Sequence, residues 1–373
     1  MPSTDLLKEA ERVMNICNAC RYCEGYCAVF PAMERRKTFL DQDLIYLANL
    51  CHNCRDCYYA CPYAPPHEFA VNVPKTFDEL RVETYQDFTW PNFLSGLFQR
   101  NGLAVTLITV VSLFIVLLPM LLLQDPAVVF STHVGEGAFY AVIPYALMVV
   151  PALAVSLWIL AAFSVGFFRF WRDTGGRLGE LANLQALVGA TWDALRLKYL
   201  EGGGHGCNYP DERFSHTRKW FHHLVFYGFM LNLASTSVAA IYHNVFHWDA
   251  PYPFFSLPVV LGTVGGIGLL IGTAGLLWLK GQMDPGPTNP RAFGMDIGFL
   301  VLLFLTSLTG LLLMFLRATP AMGMLLAIHL GVVLGLFFTL PYGKFIHAIY
   351  RFAALIRYSI EQSHERPGSS AKG

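Results

Sequence analysis

Charge is scarce in this chain. Asp, Glu, Lys and Arg make up 14% of its 373 residues, and 26 basic side chains balance 26 acidic ones. A formal net charge of zero gives no reason to expect nucleic acid as a partner. The opening stretch "MPSTDLLKEAERVM" is charged and has no apolar core, so no cleavable signal peptide is expected. No flavin-binding motif and no catalytic carboxylate cluster is legible, which leaves the chain without a substrate site of its own. The glycine-rich stretch "SLPVVLGTVGGIGLLIGTAGLLWLK" has no G-x-G-x-x-G register and follows no strand. A dinucleotide loop is therefore set aside, and Gly262-x3-Gly266 and Gly268-x3-Gly272 read as close helix packing in lipid. Cysteine is almost absent beyond residue 61, where only Cys207 remains, with packing as its default role.

What is present is concentrated. The other eight cysteines form two runs, Cys17-x2-Cys20-x2-Cys23-x3-Cys27 and Cys51-x2-Cys54-x2-Cys57-x3-Cys61-Pro62. This is the spacing of bacterial two-cluster ferredoxins: three thiolates on a tight loop reach three irons of one cubane, and the fourth ligates the other cluster. Cys17, Cys20, Cys23 and Cys61 are thus expected to hold one [4Fe-4S] cluster, and Cys51, Cys54, Cys57 and Cys27 the second. Disulfides need an oxidising compartment and have no use for two identical runs. Zinc sites usually pair C-x2-C with a distant second pair. In the first run Cys27 is followed by Ala28, and the nearest proline is Pro31.

Between the runs Leu40, Leu44, Leu47 and Leu50 recur at helical spacing behind Asp41 and Asp43, whose charge suits a helix start. "VPKTFDELRVETYQDF" also reads as helix, entered through Pro74. With no alternating β-branched strands nearby, residues 1–88 are expected to form an all-helical ferredoxin domain. Its modest apolar content makes its folding depend on the clusters.

From about residue 102 the chain changes character. Six stretches, roughly 102–123, 138–167, 221–246, 256–279, 295–316 and 322–345, are long and apolar enough to cross a bilayer. The expected fold is all-α: the ferredoxin domain, then a six-helix transmembrane cytochrome-b-like bundle over 89–350, then a cytoplasmic tail over 351–373. Basic residues set the topology. Arg169, Arg172, Arg177, Arg196, Lys198, Arg213, Arg218 and Lys219 crowd the loop 169–219; Lys280 and Arg291 lie in the next loop on that side, and Lys344, Arg351, Arg357, Arg366 and Lys372 follow the last span. Residues 124–137 and 248–255 carry no Lys or Arg, and the last short loop has only Arg317. Clusters and both termini are therefore expected on the cytoplasmic side of a bacterial inner membrane. Residues 178–200 read as an amphipathic interfacial helix that also cradles the ferredoxin domain.

Ionisable residues inside membrane helices are functional candidates. Histidines occur in spans 3 and 6 and in no other span. His329 and His347 are 18 residues apart, five helical turns or about 27 Å, on one face; His222 and His243 are 21 apart, about 31 Å and ~60° out of phase. In antiparallel helices His222 meets His347 and His243 meets His329. Two bis-histidine b haems fit this arrangement, with His223 and His247 as alternate ligands; one haem would leave the other pair for proton relay or quinone. Arg218, Lys219, Arg291 and Lys344 are placed to pair with haem propionates, and His52 to tune or shield a cluster.

Both cysteine runs, the six spans, "CNACRYCEGYCAVFPAMERRKTF", "GCNYPDERFSHTRKWFHH" and "RKWFHHLVFYGF" together make the chain resemble the tricarballylate/citrate utilisation protein B family over its whole length. The resemblance implies an electron-transfer partner of a separate FAD-containing dehydrogenase that oxidises tricarballylate to cis-aconitate. The reduced FAD is reoxidised through iron–sulfur clusters and haem toward the membrane quinone pool. The haem-bearing part is also similar to the membrane subunit of respiratory nitrate reductase in its two-haem logic, but here span 3 spreads its histidines to the helix ends. Two rival readings stay open: a quinol-oxidising subunit feeding a soluble reductase, and a redox sensor or anchor without turnover.

Overall fold

The computed structural model describes residues 2–365, and almost every element in it is a helix. The N-terminal part holds α1 (Thr4–Cys20), α2 (Val29–Glu34), α3 (Asp41–Leu50), α4 (Asp56–Tyr59) and α5 (Val73–Phe88). α3 starts where the acids stand: the Asp43 carboxylate accepts from the Leu40 amide at 3.2 Å. Leu44, Leu47 and Leu50 are buried, whereas Leu40, which only caps the helix, is exposed. α5 begins with Pro74 in its first turn and the Asn72 side chain accepting from the Lys75 amide, as its sequence suggests.

Six helices are long and apolar enough to cross a membrane. They are α6 (Asn101–Leu123), α9 (Tyr145–Asp173), α11 (Thr217–Phe246), α12 (Leu257–Gly281), α13 (Pro290–Leu316) and α14 (Met322–Thr339), spans 1 to 6 in order. Two short helices, α7 (Pro126–Val129) and α8 (Ala138–Val142), lie in the first connection. Span 2 therefore starts at Tyr145 and not at 138, because Pro144 begins a new helix. Span 3 packs chiefly on span 4, which meets span 5; span 5 meets span 6, and span 6 lies against spans 1 and 2. The glycines of span 4 serve this packing. A Cβ on Gly265 would lie 2.8 Å from the Gly228 carbonyl oxygen of span 3, and one on Gly272 would lie 2.8 Å from that of Phe221. Gly266 instead faces Leu311 of span 5, so the glycines divide between two neighbours.

Two further expectations fall. The interfacial helix is shorter than 178–200: α10 runs Leu184–Leu195, capped by Asn183 and ended before Leu197, which has φ of 47°. Ala186 and Ala190 of α10 are buried, with the helix laid along the last helix, while Leu184, Val188 and Trp192 stay exposed. Span 6 does not continue to 345. Pro341 and Gly343, the latter extended, break it into 3-10 turns, and a separate helix, α15 (His347–Glu365), follows. The segment expected as a tail begins docked: Ala353, Ala354 and Ile356, with Tyr350 just before them, are buried in the same core as Tyr46, Phe77, Leu80 and Tyr85 of the N-terminal part. Glu361 fixes that docking, accepting from Arg36 at 2.7 Å and from the Tyr46 hydroxyl at 3.1 Å. Residues 366–373 lie outside the described residues. One core thus joins the N-terminal domain to the end of the bundle that carries the basic residues.

Candidate electron-transfer site

The two cysteine runs lie side by side in the N-terminal domain. Cys17, Cys20, Cys23 and Cys61 line one hollow together with Phe30, Val71 and Val73; Cys57 borders it from the other group. Cys27, last of the first run, has Cys51 of the second run as its dominant charged neighbour. Cys20 is exposed, whereas Cys51 and Cys54 are buried, so the first group faces the surface and the second the interior. All nine thiols are free. Among the described residues no group of three or more His, Cys, Asp or Glu side chains closes on a point where one ion would sit.

This donor set suits a cubane. Burial, then the neighbouring thiols, push Cys17 and Cys23 up to about 12. Burial and Cys51 raise Cys27 further. Such thiols become anions only against a strong local cation, which iron supplies. Backbone amides are already aimed at sulfur: Asn53 N–H at Cys51 Sγ and Tyr63 N–H at Cys61 Sγ, each at 3.4 Å. Hydrogen bonds to the sulfurs are one of the levers that set cluster potentials.

The loop before span 3 closes over the second group. Its short hairpin, β1 (Cys207–Asn208) against β2 (Phe214–Ser215), packs Cys207 and Tyr209 beside Cys54. Cys207 is fully buried, and its thiol donates to the Leu200 carbonyl at 3.3 Å. Hydrogen bonding with Cys207, then burial, holds Cys54 well above the ordinary thiol value. Asp56, buried two residues after Cys54, accepts from the Asn208 amide at 2.7 Å. Sequence reading missed this contact, because 153 residues separate Cys54 from Cys207 and nothing local marks it.

The His222 and His347 ring centres lie 6.4 Å apart, with the planes at 84°. Two imidazoles on opposite faces of one metal, each at ~2.0 Å, put their ring centres roughly 6 Å apart. His347 Nδ1 contacts the Lys344 carbonyl at 2.5 Å. A carbonyl only accepts, so Nδ1 carries the proton and Nε2 keeps its lone pair, the state a metal ligand needs. The pair meets although His347 is not on the span 6 helix; the five-turn phase argument fails at Pro341.

The other proposed pair is not brought together. The ring contacts of His243, among the described residues, are with Tyr145, stacked at 3.6 Å, and Tyr140. His243 Nδ1 is 2.9 Å from an Asp249 oxygen, a distance without hydrogen-bond alignment. His329 lies 3.0 Å from the Thr309 hydroxyl, over Gly310. His223 turns to Trp220 and Tyr227, and His247 is an exposed helix cap with φ of 56°.

Of the cations expected at propionates, three are engaged elsewhere. Lys219 pairs with Glu201, Lys344 with Asp296 at 2.6 Å, and Arg218 donates to the Asn53 carbonyl at 2.5 Å. Arg351, not singled out in the sequence, has a buried Nε without a hydrogen-bond partner. Burial, then Arg351, hold the His52 imidazole well below its ordinary value, with Arg218 and His222 adding to the effect. The second cysteine loop and the His222–His347 pair therefore share one electrostatic neighbourhood.

Two family models cover the chain: the citrate utilization protein B Fer4-like domain matches residues 10–87, and citrate utilization protein B matches residues 96–368. This chain belongs to the citrate utilization protein B family. It is 50% identical over 363 residues to the citrate utilization protein B of Escherichia coli, a match covering 95% of this chain and 92% of that protein. No solved structure matches it. The family supports a role in electron transfer, and the Fer4-like match agrees with the cysteine runs. The six apolar helices agree with a multi-pass membrane protein.

Proposed function

We propose that this member of the family reoxidises the reduced FAD of a partner dehydrogenase, one that converts tricarballylate to cis-aconitate, and passes the electrons to the quinone pool. In this reading Cys17, Cys20, Cys23 and Cys61 ligate one [4Fe-4S] cluster, Cys51, Cys54, Cys57 and Cys27 the other, and His222 and His347 a b haem. When bound, these groups supply one-electron steps between a two-electron donor and a two-electron acceptor. The exposed first group receives the flavoprotein. The buried second group lies beside the histidine pair. In the same reading this end and both termini are cytoplasmic in a bacterial cell, which the bias of Lys and Arg toward these loops supports.

One observation carries the reading: the second cysteine loop lies against the two helices whose imidazoles face each other at 6.4 Å. The outer pair has no such support, so one haem is favoured over two. The test is an anaerobic optical and paramagnetic-resonance titration with metal analysis of protein purified from membranes. About eight irons in two cubanes, one further iron in haem, haem reduction by the reduced flavoprotein and reoxidation by quinone are expected. Colourless protein without sulfide or a Soret band overturns the proposal. Haem reduction by quinol in place of flavoprotein would favour the reverse flow, and no quinone exchange would favour the sensor.

A further inference from the structure

Three guanidinium bonds reach the loop Cys51–His52–Asn53 from two membrane-end helices. Arg218 Nη1 donates to the Asn53 carbonyl at 2.5 Å, and its Nη2 to the His52 carbonyl at 3.4 Å. Arg351 Nη2 donates to the Cys51 carbonyl at 2.8 Å, a carbonyl that also accepts from Arg81 at 2.9 Å. Arg218 stands one helical turn before His222 on α11, and Arg351 one turn after His347 on α15. Residues four apart share a helix face, about 6 Å apart along the axis. Each helix thus presents an imidazole to its partner and a guanidinium to the cysteine loop from the same face. The loop needs holding: Asn53 and Arg55 sit at φ of 55° and 73°, in the left-handed region. Arg218 is itself steadied over the Tyr209 ring at 4.7 Å.

We propose that Arg218 and Arg351 are positioning residues that lock the second cysteine loop to the two histidine-bearing helices and so set the electronic contact between cluster and haem. This rests on the cofactor reading above. Neither arginine ligates anything; each fixes the distance between two groups carried by different parts of the chain. A guanidinium makes two parallel bonds that an ammonium cannot, so lysine is a partial substitute.

The test uses full-length protein with its cofactors, comparing wild type with Arg218→Gln/Arg351→Gln and Arg218→Lys/Arg351→Lys. Microwave power saturation of the second cluster's signal reports its closeness to a paramagnetic haem iron, and rapid mixing with the reduced flavoprotein reports haem reduction. The glutamine pair is expected to retain iron, sulfide and haem, to lose the fast relaxation, and to slow haem reduction by about ten- to hundredfold; the lysine pair should lie between. Unchanged relaxation and rate in a cofactor-replete glutamine pair overturn the clamp and leave the cofactor reading intact. Loss of cofactors in both pairs also overturns it, by assigning the arginines to folding. Wild-type protein without haem overturns the cofactor reading and the clamp together.

Discussion

The two ends of the bundle treat their histidines differently. At the ferredoxin-side end, His222 and His347 face each other, the last helix is buried in the N-terminal core, and cations are held by named partners. At the far end, His243 stacks on Tyr145, His329 contacts Thr309 and overlies Gly310, and Arg317 is the sole basic residue in the connections 124–144, 247–256 and 317–321. A histidine becomes a ligand candidate when surrounding structure aims it at a second one. Position in an apolar helix alone does not do this.

The sharpest way to break the contrast is to remove the histidines singly. His222→Ala and His347→Ala are each expected to abolish the b-haem Soret band, while His243→Ala and His329→Ala retain most of it. Pyridine haemochrome content per protein checks this. If His243→Ala removes half of the haem from a two-haem wild type, the far end is equivalent after all and the one-haem reading fails.

Next in size is the carboxylate that ties spans. Asp296, buried in span 5, pairs with Lys280 of span 4 and, at 2.6 Å, with Lys344 beyond span 6. Asp296→Asn removes the ion-pair partner of both ammonium groups, and breaking a buried pair typically costs about 3–5 kcal/mol. Asp249 at the far end is 43% exposed, so Asp249→Asn should cost less than about 1 kcal/mol. Thermal unfolding in detergent compares the two. Equal shifts would show that the charged end is no better packed than the other.

How far this contrast could be read in advance differs between its parts. That the two cysteine runs come together was legible, because x2-x2-x3 spacing is a local geometric constraint. So were the six spans, from apolar length, and the role of the span 4 glycines, from their density. His222 and His347 do come close, but not along one continuous helix: Pro341 and Gly343 are helix breakers in plain view, and the five-turn spacing ignores them. The docking of α15 was missed because Tyr350, Ala353, Ala354 and Ile356 follow a run of apolar residues, so their periodicity reads as a continuation. Arg218 and Arg351 stand at a spacing of four from a histidine, a signal that could have been found. Cys207 left no local trace, since tertiary contact alone brings it to Cys54.

A smaller effect should depend on pH. Burial alone would raise the Asp78 carboxyl, but Arg81 and Lys344 outweigh it and hold it below the usual carboxylate range. A carboxyl depressed by folding stabilises the native state above its unfolded pKa, about 3.9, and that contribution fades as pH falls through the lower folded value. Asp78→Asn should therefore cost about 3 kcal/mol at neutral pH, as expected for one partner of a buried pair. The gap to wild type should narrow below about pH 4. Unfolding midpoints measured from pH 7 downward would show it. A gap independent of pH would mean that Asp78 acts by shape and not by charge.

The smallest effect separates ligation from packing beside the second cysteine group. Cys207 donates to the Leu200 carbonyl, hydrogen-bonds with Cys54 and fills space beside it. Cys207→Ala gives up those bonds and a little buried volume, about 1 kcal/mol, and leaves the four ligands of the spacing rule untouched. Iron and sulfide content should stay at wild-type values, while the second cluster's signal shifts slightly as a neighbour of Cys54 is lost. If Cys207→Ala instead loses about four irons and Cys54→Ala does not, then the loop before span 3 supplies the ligand. The crossed assignment at that group would be wrong by one residue, and the ferredoxin-side end would be bound to the N-terminal domain through iron as well as through arginine.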